Sequence, residues 1–155
     1  MKIKIRKAKD SDASEMSKLR IENLRQELSK YYDELYINES VARNTEEKII
    51  EKMKSWSMFV AVDGHGKIVG TAGFYDKNFL GGLYVGLDCL GLGVGRKLVL
   101  HIENFLKKNS EEKVRLYSTV NACGFYKKLG YKIVNKRKGF VGVAECMVTE
   151  MDKKL

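Results

Sequence analysis

Three glycines at alternate positions separate an apolar strand-like segment from a helical one. They are Gly91, Gly93 and Gly95. They follow the strand-like residues 83–85 and precede a segment, from Val94 onward, whose apolar residues recur at helical spacing. Glycine lets the backbone approach a ligand closely, and the first N–H groups of a helix lack intrahelical partners and carry partial positive charge. The pattern therefore predicts an anion site suited to a phosphate or pyrophosphate.

A tight strand-to-helix turn without a ligand is the alternative interpretation of this segment. The spacing lacks the Lys-Ser/Thr ending of a P-loop, and it differs from the Gly-x-Gly-x-x-Gly of dinucleotide-binding folds. A second informative segment, residues 121–131, begins with Asn121 and contains adjacent aromatic residues, Phe125 and Tyr126. It predicts a short helix that ends at Gly130.

The two segments together resemble the GNAT superfamily of acetyl-CoA-dependent N-acetyltransferases. The residues that coincide with the acetyl-CoA loop of the family are Val85, Gly91, Gly93 and Gly95. The residues that coincide with the second family motif are Ala122, Phe125, Tyr126, Lys128, Gly130 and Tyr131. This chain departs from the family at Leu87, where proline is usual, and at Leu90, where glutamine or arginine is usual. The family asparagine falls on Thr119, and Asn121 follows two places later.

The resemblance implies a fold, a reaction and a set of site residues. The fold is α+β, a mixed and mostly antiparallel central sheet with helices on both faces, formed by residues 1–155 as one domain. The reaction is direct transfer of the acetyl group of acetyl-CoA to a primary amine, with no metal. Tyr126 is implied as the general acid for the departing thiolate. The implied cofactor-binding residues are Leu83, Tyr84, Val85, Leu90, Gly91, Leu92, Gly93, Val94, Gly95, Arg96 and Asn121.

The acceptor site and the general base are less constrained. Residues 29–43 are predicted to be irregular, and their tyrosines beside carboxylates fit either a substrate mouth or a half-buried connection. Candidate acceptor residues within this segment are Tyr31, Tyr36 and Glu39. Residues 79–85 contain no carboxylate, so the candidates for a general base are unranked. They are Glu22, Glu27, Glu39 and Asp76, and loss of the amine proton to water is the alternative.

The remaining elements follow from periodicity and turn residues. Predicted strands cover residues 2–7, 58–62, 68–75, 79–85 and 113–118. Predicted helices run from the cap at Asp12 to about Leu28, from the cap region 44–47 through Met53, and from Val94 to about Lys108. A final hairpin is predicted, with strands 131–135 and 140–151 and a turn at residues 136–139.

Composition limits the function classes. The 155 residues fit one domain, and no apolar run approaches the roughly 20 residues of a membrane span. The three cysteines, Cys89, Cys123 and Cys146, show no metal-ligand or disulfide spacing, so we expect a cytoplasmic protein with reduced thiols. The net charge of +9 leaves a nucleic-acid-binding module as one competing function, although the charges are scattered. The second competing function is that of a catalytically weak acyl-CoA-binding protein. The sequence also leaves open whether the protein forms a homodimer.

Overall fold

Seven strands and five α-helices make up the part of the chain that the structure, a computed structural model, describes, which is residues 2–155. The strands are β1 (Lys4–Lys7), β2 (Ser57–Val62), β3 (Ile68–Tyr75), β4 (Phe79–Val85), β5 (Lys113–Ser118), β6 (Lys132–Val141) and β7 (Ala144–Lys154). The helices are α1 (Ala13–Gln26), α2 (Glu34–Ala42), α3 (Glu46–Lys52), α4 (Val94–Lys108) and α5 (Cys123–Lys128).

The strands form one sheet in the order β1-β2-β3-β4-β5-β7-β6. Every neighbouring pair is antiparallel except β4 and β5, which run parallel. The parallel pair is joined by α4, which provides the crossover that a parallel connection requires. The predicted fold class, a mixed and mostly antiparallel sheet, is confirmed.

Helices cover both faces of the sheet, and the apolar residues of β2 from Met58 to Val62 pack on both sides. Met58 and Val60 face α1 and α3, in an apolar cluster with Met16 and Ile49. Phe59, between them, faces the opposite side and belongs to the cluster that contains the buried residues of α4. A strand covered on both faces is a continuous apolar segment rather than an alternating one, and residues 58–62 have that pattern.

The prediction of an irregular segment over residues 29–43 is wrong. Residues Glu34–Ala42 form α2, which begins where Asp33 accepts a hydrogen bond from the backbone N–H of Tyr36 at 2.9 Å. The Tyr36 ring stacks on that of Tyr32, with ring centroids 3.9 Å apart. The helix was missed because it is short and buries few side chains, so it shows little apolar periodicity.

The predicted turn of the final hairpin is also wrong. Residues 136–139 continue β6, and the chain reverses at Gly142, which has a φ of +58°. Because β6 is an edge strand, its lysine and arginine side chains lie in solvent and belong to a strand rather than a loop. Charged edge strands resist pairing with other chains.

Asp12, the predicted cap of the first helix, makes no capping hydrogen bond to α1 with its side chain. The Asp12 carboxylate accepts from the backbone N–H of Lys9 at 2.8 Å and pairs with the Arg6 guanidinium at 2.7 Å, so it ties β1 to the turn before α1. The Arg6 guanidinium holds the pKa of Asp12 below its ordinary value. Glu15, three residues after Asp12, accepts a hydrogen bond from the backbone N–H of Ile68 and so ties α1 to β3.

Candidate active site

The sheet is open between β4 and β5. These parallel strands are paired at two positions only, where Phe79 lies beside Arg115 and Leu80 beside Leu116. Beyond Leu80, residues 81–85 have no partner in β5, and their free edge borders a cleft of about 560 Å³. A strand edge with free N–H and C=O groups can receive an extended ligand as if it were one more strand.

The turn from β4 to α4 presents bare backbone to this cleft. Gly91 and Gly93 have φ angles of +75° and +87°, and nothing lies within 4 Å of the position that a Cβ would take at either residue. Gly93 is the N-cap of α4, so the amides of the first helical turn, Val94–Arg96, have no helical partner. The N-terminus of the helix therefore has room for an anion.

The third glycine of the pattern serves packing. A Cβ at Gly95 would lie 3.4 Å from Phe125 Cζ and 3.6 Å from Val85 Cγ2. These are ordinary van der Waals distances, so the start of α4 lies close against both α5 and the end of β4 at Gly95.

Tyr126 is held in place by the end of α5. The N–H of Gly130 donates to Lys127 O at 3.0 Å, and the N–H of Tyr131 donates to Tyr126 O at 3.1 Å. These two bonds and the φ of +98° at Gly130 form a Schellman motif, which confirms the predicted helix end. The Tyr126 ring packs edge-on against Phe125 and Tyr131, at centroid distances of 5.1 Å and 5.6 Å.

The Tyr126 phenol is buried in the cleft wall and is protonated at neutral pH. Its side chain is 5% exposed, and no hydrogen bond from residues 2–155 engages its hydroxyl. Burial, and secondarily the nearby Tyr84, raise the pKa of Tyr126 well above its ordinary value. The neighbouring Tyr131 hydroxyl, in contrast, donates to Glu103 at 2.7 Å and so has a structural partner. Tyr126 is the tyrosine of this pair that is free to donate a proton.

The end of α1 and the start of α2 form the wall opposite the glycine turn. Asn23 donates from Nδ2 to Val85 O at 2.9 Å, which ties α1 to the end of β4. Glu27 and Leu28 follow on the same wall, and Tyr36 completes it from α2. Sequence reasoning missed Asn23, although it is a polar residue among the buried, mostly apolar positions of α1.

Most of the residues predicted from the sequence meet at this cleft. The predicted residues in its wall are Tyr36, Leu83, Tyr84, Val85, Leu90, Gly91, Gly93, Val94, Gly95, Arg96, Asn121 and Tyr126. Three others lie outside the wall: Leu92 is 60% exposed, Tyr31 is 49% exposed, and Glu39 lies against Gly142 of the β6–β7 turn. Tyr117 and Thr119 of β5 and the following loop also line the cleft, and sequence reasoning missed both as site residues.

Among the four candidate bases, Glu27 is the carboxylate that lines the cleft. It pairs with Lys30 at 3.0 Å, and this ion pair is exposed. Asp76 faces Arg115 at 3.8 Å on a distant turn, and Glu22 is exposed on α1. The structure therefore ranks Glu27 first by position.

Two further observations concern the described residues. Within residues 2–155, no group of three or more His, Cys, Asp or Glu side chains is arranged to hold a metal ion. No helix in that range is long and apolar enough to cross a membrane.

Solved structures of the same fold are acetyltransferases of the GNAT type. A structure described as a GCN5-related N-acetyltransferase, aminotransferase class II, from Rhodopseudomonas palustris has a TM-score of 0.93 and 21% identity, over 100% of this chain and 97% of that one. The PaiA N-acetyltransferase of Thermoplasma acidophilum, in complex with coenzyme A, has a TM-score of 0.84 and 21% identity, over 100% of both chains. A phosphinothricin acetyltransferase of Sinorhizobium meliloti, in complex with acetyl-CoA, has a TM-score of 0.77 and 15% identity, over 100% and 89%.

The family model of the acetyltransferase (GNAT) domain matches residues 16–155. The chain therefore belongs to the GNAT acetyltransferase family, and the predicted membership is confirmed. A search of curated proteins found no match.

Proposed function

We propose that this chain is an N-acetyltransferase that moves the acetyl group of acetyl-CoA directly to a primary amine, and that residues 1–155 act as one domain. The observation that carries the proposal is the free edge of residues 81–85, which leads into a glycine turn at a helix N-terminus. An extended arm and an anionic head are the two parts of acetyl-CoA that such an arrangement accommodates. Related structures of the same fold hold coenzyme A or acetyl-CoA, which supports this choice of ligand.

The pantetheine arm lies along the edge of Leu83–Val85, and the pyrophosphate accepts hydrogen bonds from the amides between Gly91 and Arg96. Leu92 and Val94 contribute through their backbone, so the exposure of the Leu92 side chain is compatible with this role. Leu90 replaces the polar side chain usual in the family, and the backbone donors and the Arg96 guanidinium remain for the phosphates. Asn121 borders the cleft from the loop before α5.

The reaction requires a neutral amine, an oriented thioester and a proton for the departing sulfur. The amine nitrogen attacks the thioester carbonyl, and an N–H on the edge of β4 stabilises the resulting oxyanion. The attacking nitrogen loses a proton to water, the C–S bond breaks, the amide forms, and the thiolate of coenzyme A receives a proton. Tyr126, kept protonated by burial, donates that proton and regains one from water, or hydrogen-bonds to the sulfur as charge develops. Holding both reactants in the cleft supplies much of the remaining acceleration.

The acceptor enters between α1, α2 and β5. The Tyr36 ring and the Glu27 carboxylate suit a cationic or amine-bearing molecule. Tyr31 and Glu39 lie farther out and would contact an acceptor longer than the cleft, such as a peptide with an amino terminus or a lysine. The three free cysteines are consistent with work in the reducing cytoplasm.

The proposal is tested by measuring release of free coenzyme A thiol with a panel of primary amines and short peptides, with acetyl-CoA alone as the control. Amine-dependent thiol release, together with an acetylated product of the expected mass, supports it. Tight coenzyme A binding without transfer to any amine would instead identify a catalytically weak acyl-CoA-binding protein. A steeply salt-dependent shift of a DNA or RNA probe, with no affinity for coenzyme A, would identify the nucleic-acid-binding alternative.

A further inference from the structure

Arg20 is a buried guanidinium with an incomplete set of partners. It lies on α1 and is 2% exposed. Its Nε donates to Thr71 Oγ1 at 3.1 Å, and one terminal nitrogen, Nη1, donates to Asn44 Oδ1 at 3.1 Å. The other terminal nitrogen, Nη2, has no hydrogen-bond partner within residues 2–155. Both acceptors are neutral, so the positive charge of Arg20 is hydrogen-bonded but not neutralised.

Cations lie close enough to Arg20 for their charges to interact. The charges of Arg20 and of Arg43, in the connection before α3, both act on Lys52 of α3, and the Tyr84 ring lies 5.4 Å from the Arg20 guanidinium carbon. Burial, and then the charges of Arg20 and Arg43, lower the pKa of Lys52 to about 8. None of the ion pairs among residues 2–155 includes Arg20. An uncompensated buried charge is costly, so its position calls for a functional explanation.

Arg20 lies directly beneath the bulge of β4. Gly82 has a φ of +62°, and the register of β3 against β4 shifts at this point, between Thr71 and Gly73. A Cβ at Gly82 would lie only 3.1 Å from Arg20 Nη2. Gly82 also lines the cleft. Because Gly82 has no side chain, only backbone separates the guanidinium from the place where the acetyl group and the acceptor meet under the proposed function.

We propose that Arg20 is a positioning residue whose uncompensated charge keeps the bound acceptor amine neutral and stabilises the oxyanion on the thioester carbonyl. This inference rests on the proposed function and accounts for the absence of a carboxylate from β4. A positive potential favours loss of a proton from the ammonium to water, so no carboxylate base is required beside the amine. It also favours the negative charge that the carbonyl oxygen gains when the amine attacks.

The other titratable groups that face the reaction centre do not cancel this potential. Glu27, directly after α1, is paired with Lys30. The remaining groups are the phenols on α2, β4, β5 and α5 (Tyr36, Tyr84, Tyr117 and Tyr126), the Cys89 thiol before the glycine turn and the Arg96 cation at the start of α4. Lys52 of α3, whose pKa the charge of Arg20 lowers, is not part of the cleft wall. Burial is the main cause that raises the pKa of Tyr36, Tyr84 and Tyr126, so these phenols stay neutral at neutral pH.

The test separates charge from shape with three variants. Arg20→Gln removes the charge, Arg20→Lys keeps the charge but changes the shape, and Asn44→Asp keeps the guanidinium while placing a carboxylate against it. The acidic limb of the kcat–pH profile with a primary amine reports protonation of the bound amine. A unit charge about 8 Å away, at an effective dielectric constant of about 20 to 40, changes a pKa by about one unit. We expect the limb to lie about one pH unit higher in Arg20→Gln and in Asn44→Asp, and to stay near the wild-type position in Arg20→Lys.

A second measurement does not depend on catalysis. The pKa of Lys52, followed by NMR of its side chain, should rise in Arg20→Gln and Asn44→Asp and change little in Arg20→Lys. If the pKa of Lys52 rises but the acidic limb does not move, the inference is wrong and the proposed function stands. If the acidic limb moves in Arg20→Lys but not in Asn44→Asp, the role of Arg20 is structural, and the inference is wrong in that case too. A wild-type protein that acetylates no amine would refute the proposed function itself, and the inference with it.

Discussion

Replacing Gly93 by alanine tests the cofactor site against a matched control in the same chain. Gly66, in the turn between β2 and β3, has a φ of +79°, close to the +87° of Gly93. Nothing lies within 4 Å of a Cβ at either residue. The two substitutions therefore introduce the same methyl group into the same backbone conformation, and only Gly93 borders the cleft.

The two variants should lose similar stability. A non-glycine residue in the left-handed region costs about 1–2 kcal/mol. For a chain of this length, that corresponds to a decrease in Tm of about 2–8 °C. Thermal unfolding of both variants without ligand measures this decrease in Tm directly. A similar decrease in both is the internal control for the binding measurement.

Only the Gly93 variant should lose affinity for coenzyme A. The methyl group would project into the space assigned to the pyrophosphate and displace one charge-assisted hydrogen bond, worth about 1.5–3 kcal/mol. The Kd for coenzyme A, measured by calorimetry, should therefore rise about 10- to 100-fold, while Gly66→Ala keeps the wild-type value. Equal affinity in both variants would show that the phosphates bind elsewhere.

Three further predictions concern catalysis, the acceptor and pH. Tyr126→Phe should lower kcat about 10- to 1000-fold with the Kd for coenzyme A unchanged, whereas Tyr131→Phe should lower Tm and leave kcat near wild type. Tyr36→Ala should raise the KM of the amine while leaving that of acetyl-CoA unchanged, and Tyr31→Ala, outside the cleft wall, should have a smaller effect with small amines. The pKa of Lys52 is about 8 in the folded state against 10.5 as the ordinary value, so the folded state binds fewer protons between these values. The unfolding free energy should therefore rise with pH from about 8 to 10.5, and Lys52→Met should weaken that rise in urea titrations.

Each of these three predictions has a contradicting result. Full activity of Tyr126→Phe would leave that ring as a core aromatic. An unchanged amine KM in Tyr36→Ala would move the acceptor site away from α2. Parallel stability curves for wild type and Lys52→Met would mean that the lysine keeps its ordinary pKa in the folded protein.

The glycine turn at the start of α4, to which we assign the cofactor, could be predicted from the sequence because it depends on local backbone. Gly91 and Gly93 stand out as residues suited to positive φ angles, and the strand before them and the helix after them are strongly apolar. The end of α5 at Gly130 was predicted for the same reason. These features lie within a few residues of one another, so spacing alone reveals them.

The part of the cleft wall to which we assign the acceptor could not be predicted in this way, because its residues come from distant segments. Asn23 contacts Val85, and Arg20 contacts Asn44 and Gly82 only after α1 packs on the sheet. No spacing in the sequence indicates these contacts. In the segment 29–43, the tyrosines and carboxylates suggested a common site, but formation of α2 placed Tyr36 in the cleft wall and left Tyr31 and Glu39 outside it.

The opening between β4 and β5 also affects how the protein holds together. The four strands β1–β4 and the three strands β5–β7 are joined by two residue pairs between β4 and β5 and by two apolar clusters, one beneath α4 and one that includes Tyr84 of β4 and Ala144 of β7. A molecule lying along the free edge of β4 would bridge the two parts where the sheet itself does not. The amides of residues 81–85 that point into the gap should exchange with deuterium rapidly in the free protein. Once the gap is occupied, slower exchange should extend to β5, because the ligand would then act as the missing strand of the sheet.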